Sequence, residues 1–143
     1  MAFRRKMENM MSSNEVLLGK VDPQIDDEED FEEFVVFSTN RERVTYAIPS
    51  NNGHKVIIDG LAGKEYEETS APVFSIDSKH VAYCAVRGDK RLVVIDGIEG
   101  KEYDGVYIDG DNFTFSPDGK ILSYLARRGN KMFFVLNRDE EEI

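Results

Sequence analysis

The chain has 143 residues, 41% of them hydrophobic and 32% charged, with a formal net charge of −10. That apolar content suits one packed domain, while the acidic balance argues against phosphate backbones and anionic membranes as partners. Cys84 is the only cysteine, which excludes an intrachain disulfide and a cysteine-based zinc cluster. Its apolar setting, Val81–Val86, reads as burial in a reducing compartment.

In chain order, the basic start Arg4-Arg5-Lys6 is followed by Glu8 and Asn9 rather than an apolar run. A signal peptide is therefore not expected, no stretch is long enough to span a membrane, and the expected location is cytoplasmic. Residues 1–30 read as a flexible acidic segment containing one small apolar stretch at 15–21, a candidate strand. Asp26-Asp27-Glu28-Glu29-Asp30 and Glu32-Glu33 read as a solvated linker or as a docking strip for a basic partner.

Residues 31–143 are repetitive. Ile58-Asp59-Gly60-Leu61-Ala62-Gly63-Lys64-Glu65-Tyr66 returns 37 residues later as Ile95-Asp96-Gly97-Ile98-Glu99-Gly100-Lys101-Glu102-Tyr103. Phe37-Ser38 returns as Phe74-Ser75 at the same offset and as Phe115-Ser116 after 41 more. Val44-x-Tyr46 returns as Val81-x-Tyr83 and as Ile121-x-x-Tyr124, and Asp96 finds its third counterpart at Asn137. A period near 40 residues carrying several short strands is a propeller signature.

The middle unit predicts four strands. Val73–Ser75 leads to a turn, Ile76-Asp77-Ser78-Lys79, and His80–Val86 alternates as a half-buried strand should. Arg87-Gly88-Asp89-Lys90 is a hairpin turn with Gly88 free to take positive φ. Arg91–Ile95 is nearly continuous in Leu, Val and Ile, as in a strand covered on both faces. After Asp96-Gly97, Lys101–Tyr107 reads as the outer strand. The expected fold is all-β: four-stranded antiparallel blades, three repeats only, with no helix.

Phe115-Ser116-Pro117-Asp118-Gly119-Lys120, followed by a strand and a glycine turn, resembles the WD40-like repeat of TolB-type β-propellers. Phe74-Ser75-Ile76-Asp77-Ser78-Lys79 and Phe37-Ser38-Thr39-Asn40 are looser copies, and the likeness covers about residues 34–137. It implies radially arranged blades and leaves function open, because such propellers serve as binding platforms and as gates beside peptidase domains. TolB itself is periplasmic and usually six-bladed; this chain shows no export signal and holds three units.

Closed propellers need about four to eight blades. Three units imply a partial or open propeller, a fragment of a longer one, or half of a homodimeric six-bladed ring. The third unit, ending at Asn137, is expected to lack an outer strand, with Val16–Val21 as the candidate to supply it.

Motifs for chemistry are scarce. His54 follows Asn51-Asn52-Gly53 at a hairpin tip and His80 opens a strand; neither belongs to a His-Glu-x-x-His pattern. There is no Gly-x-Ser-x-Gly elbow and no phosphate-binding glycine loop. Asp109, Asp111 and Asn112 cluster oxygen donors of the kind calcium takes, without the spacing or closing Glu of an EF-hand, so no metal and no cofactor are expected. Asp59, Asp96 and Asp118 each precede glycine and read as turn residues. Tyr46, Tyr83 and Tyr124, like Tyr66 and Tyr103, sit at equivalent positions and read as packing between blades. Tyr107 and Phe113 fall outside the repeat and are the better aromatic contact candidates, while Arg87, Arg127 and Arg128 form a basic spot at equivalent hairpins. The expected function is a non-enzymatic protein-interaction scaffold; the alternatives are a propeller fragment and a hydrolase or lyase with a central-channel site.

Overall fold

The computed structural model describes residues 35–107 and 114–143. Within them every regular element is a strand, and the strands form three antiparallel sheets. The first sheet holds β1 (Val36–Phe37), β2 (Val44–Ser50), β3 (Gly53–Ile58) and β4 (Leu61–Tyr66) in that order. The second holds β5 (Glu68–Thr69), β6 (Val73–Phe74), β7 (Val81–Arg87), β8 (Lys90–Ile95) and β9 (Ile98–Glu99). The third holds β10 (Gly105–Tyr107), β11 (Thr114–Phe115), β12 (Leu122–Arg128), β13 (Lys131–Leu136) and β14 (Asp139–Glu142). In the second and third sheets two short strands share the first position, both pairing with the next strand.

One side-chain device opens each long strand. The hydroxyl of Ser38, Ser75 or Ser116 donates to Asn40, Asp77 or Asp118 and accepts the N–H of Arg43, His80 or Ile121. The turn needs a left-handed residue, and Arg41 (φ 60°), Ser78 (φ 64°) and Gly119 (φ 75°) supply it. Only the third copy gives that position to the residue best suited to it. A second device closes the next hairpin. Asp59, Asp96 and Asn137, all left-handed, accept the N–H of Val44, Val81 and Leu122 from across the sheet, at 2.9–3.0 Å. Asp59 and Asp96 thus bond backbone 15 residues away rather than their own turn, and hold β2 to β3 and β7 to β8.

The sheets pack face to face in chain order. Val56, Tyr66, Tyr83, Ala85, Leu92 and Val94 fill the space between the first and second. Cys84, Val93, Ile95, Tyr103, Leu122, Tyr124, Ala126, Phe133 and Val135 fill that between the second and third. The second sheet is therefore covered on both faces, as the unbroken apolar run Leu92–Ile95 requires.

Three expectations need correction. The outer strand of the second sheet is Ile98–Glu99, extended by a bridge from Tyr103 to Arg91, not Lys101–Tyr107. Gly105–Tyr107 instead pairs with β12 of the third sheet. The chain crosses there because Asp104 accepts the N–H of Gly129 at the third sheet's hairpin tip and its own N–H donates to Arg127. Next, the third sheet does not lack an outer strand: Asp139–Glu142 pairs with Phe133–Leu136 in unbroken register. An edge strand tolerates so acidic a run because its outward side chains stay in water. Val16–Val21 is not needed in that place, and it lies, with all of residues 1–30 and the acidic run, outside the described residues. Finally, the counterpart of Val81 is Leu122; Ile121 aligns with His80 and Arg43.

Candidate functional site

Two polar clamps bridge the sheets, one per interface, built from equivalent residues. In the second interface the Tyr103 hydroxyl donates to Glu140 at 2.6 Å, Arg128 pairs with Glu140 at 2.8 Å and lies 4.9 Å over the Tyr103 ring, and Lys101 approaches Glu140 at 3.5 Å. In the first, Arg87 pairs with Glu99 and lies 5.5 Å over the Tyr66 ring, and Lys64 reaches Glu99 at 2.8 Å. The bond from Arg128, the Tyr103 hydroxyl and the charge of Lys101 push the Glu140 carboxyl down to about 2. Burial, then the neighbouring carboxylate, pushes the Tyr103 hydroxyl well above its ordinary range. The acid after each tyrosine completes the set: Glu67 accepts the N–H of Gly88, and Asp104 that of Gly129.

A cation or ring links the opposite ends of the sheets. Arg43 pairs with Asp59 at 2.8 Å and lies over Phe74 of the second sheet. His80 bonds Asp96 at 2.7 Å and stacks on Phe115 of the third, with ring centroids 6.4 Å apart.

These networks locate the candidate residues. Arg87 and Arg128 are each held in a clamp, with side chains still 48% and 44% exposed. Arg127 donates to the carbonyl of Gly129 at the hairpin tip. Tyr107 ends β10 and is 49% exposed. Asp109, Asp111, Asn112 and Phe113 lie outside the described residues. His54 contacts the Glu67 carbonyl at the first hairpin. Among the described residues no group of three or more His, Cys, Asp or Glu is placed to hold a metal. Cys84 is buried, and burial pushes its thiol up, away from thiolate reactivity.

What the arrangement leaves open is an apolar sheet face. Cys84 pairs with Val93 across β7 and β8, and both are buried against the third sheet, as is Ile95. Their counterparts, 41 residues on, are Leu125, which pairs with Phe134, and Leu136. These point away from the second sheet and are 36%, 41% and 40% exposed. The register extends the row: Tyr107, Leu125, Phe134 and Glu141 lie directly opposite one another across β10, β12, β13 and β14. Tyr107 was visible in the sequence as an aromatic outside the repeat; Leu125 and Phe134 were not, because a repeat-aligned apolar residue reads as core. No protein-family model matches this chain, and no curated protein matches it either.

Proposed function

We propose that the chain is a non-enzymatic protein-interaction module of β-propeller-type repeats, akin to the WD40-like repeats of TolB-type propellers, acting in the cytoplasm. Three sheets of one plan, joined by a repeated clamp, support the architecture. Among the described residues, Arg87, Arg128, Glu99 and Glu140 are engaged in joining sheets. One observation carries the interaction role: Leu125, Phe134 and Leu136 are exposed where the same repeat positions one sheet earlier are buried. A side-chain set of interface type left in water marks a contact surface.

The test is capture on immobilised full-length chain, with Phe134→Glu as the matched control. A saturable protein ligand held by the parent and lost by the variant is expected. Identical material on both would overturn the reading.

The same positional match favours a second reading, in which the face is covered by a further blade of a longer propeller. In-frame Phe-Ser-Pro-Asp-Gly repeats in the genomic sequence following the codon for Ile143 would support it.

A further inference from the structure

We propose that residues 16–21 of this chain cover the outer face of the first sheet, taking the place of a neighbouring sheet. This concerns the other end of the described array from Leu125 and Phe134, and it does not rest on the interaction reading.

Two of the buried clusters each draw on two sheets. A third does not. Val44, Tyr46 and Ile48 of β2 and Ile57 of β3, with Val35 and Phe37 packed against them, all come from the first sheet or the residue leading into it. By register, Tyr46, Ile48 and Ile57 match Tyr83, Ala85 and Val94, which meet the preceding sheet, and Tyr124, Ala126 and Val135, which do the same. No described sheet precedes the first. Val44 is nonetheless 0% exposed, Tyr46 4%, Ile57 7% and Ile48 8%, and burial pushes the Tyr46 hydroxyl up. Leu125, Phe134 and Leu136, at 36%, 41% and 40%, show how an apolar face of this fold stands when it meets water. Side chains on a strand stand roughly perpendicular to the sheet, so one sheet does not seal its own face. A second layer has to lie on it.

Residues 108–113 are not that layer. The chain leaves the third sheet at Tyr107 and rejoins it at Thr114, and both pair with β12. Six residues held at both ends reach out about 12 Å, while the far side of the first sheet lies beyond two sheet spacings of about 10 Å each. Residues 1–34 join the face directly, since Val35 and Phe37 already pack on it and β1 is the edge strand of the sheet. Among them only Val16-Leu17-Leu18-Gly19-Lys20-Val21 forms an apolar run of strand length; 1–15 are mostly polar and 22–33 mostly acidic. Leucine and valine gain from such a contact, whereas unpaired carboxylates pay heavily to enter one. The connecting residues 22–34 reach about 40 Å when extended, well beyond the width of four strands about 4.8 Å apart.

Successive side chains of an extended segment point to opposite sides. Whichever way residues 16–21 lie, Leu17 or Leu18 therefore faces the sheet, and changing both together removes the contact.

The experiment uses the full chain carrying Ile48→Cys and follows alkylation of its two thiols by iodoacetamide with peptide mass spectrometry. Cys84, buried between the second and third sheets, reports any opening of the whole array. Both thiols are expected to react slowly. Adding Leu17→Glu with Leu18→Glu should speed alkylation at position 48 by about tenfold or more while Cys84 stays slow. Leu17→Ala with Leu18→Ala is the milder pair; it should give a smaller acceleration confined to position 48, and it decides the matter if the glutamates open the whole array. Phe134→Glu, on the third sheet, should leave position 48 unchanged. A thiol at position 48 that reacts at once with both leucines in place, or at the same rate with and without them, overturns the proposal.

Discussion

The second and third sheets carry the same device in opposite circumstances. Val93 and Phe134 occupy equivalent positions on the fourth residue of their strands, each paired with its counterpart across the hairpin, Cys84 or Leu125. Val93 is sealed by the third sheet; Phe134 meets water. Strand, register and apolar character are alike, and the difference lies in what packs on the outside. In a stacked array of sheets, burial belongs to the interface rather than to the residue.

The sharpest way to break that comparison is to place the same charge at both sites. Val93→Asp should cost about 4 kcal/mol or more, because it buries an unpaired carboxylate between two sheets. Phe134→Asp should cost under about 1 kcal/mol in the monomer. Urea unfolding of both variants decides; equal losses would mean that the third sheet's outer face is covered in solution.

The clamps come next. Tyr103→Phe removes the donor to Glu140 and leaves the ring under Arg128, so a loss of about 2 kcal/mol is expected. Arg128→Ala should cost a similar amount, and the double variant less than the sum, because both act on Glu140. A double-mutant cycle on thermal or urea unfolding measures that coupling.

Acid should loosen the second interface through the same carboxylate. Glu140 titrates at about 2 in the folded chain, below the 4.5 of an ordinary glutamate. Its contribution is fully present above about 4.5 and is lost as pH falls toward about 2, since the unfolded chain takes up the proton first. Glu140→Gln should flatten that part of the stability–pH curve measured by urea midpoints.

The smallest effect is expected at the turns. Arg41 holds φ 60° where the third copy has Gly119. Arg41→Gly should be neutral to stabilising by about 0.5 kcal/mol, by relieving the left-handed penalty. A destabilised variant would show that the Arg41 side chain has work there beyond its backbone conformation.

Much of this was legible before any coordinates. The return of Asp59-Gly60 as Asp96-Gly97, and the counterpart at Asn137, marked the hairpins correctly, because a left-handed turn with a side-chain acceptor has few chemical solutions. Tyr66 and Tyr103 declared themselves as packing between units by their equivalence. The role of Glu140 did not show. A run of Asp and Glu at residues 139–142 reads as solvated, and only pairing with β13 turns Glu140 toward Tyr103 and Arg128. The crossing at Asp104 was hidden for the same reason. Nothing local tells Lys101–Tyr107 that its second half belongs to the next sheet, since the carbonyl it meets lies on Arg127.

The sequence by itself determined the all-β class, the repeat, the turns and which strands carry apolar side chains. All of these depend on neighbours along the chain or on a period that recurs within it. The tertiary structure alone decided that Arg87 and Arg128 close clamps between sheets, and that Phe134 is exposed while Val93 is not. Those outcomes depend on which surface arrives from the adjoining sheet, and periodicity carries no record of that surface.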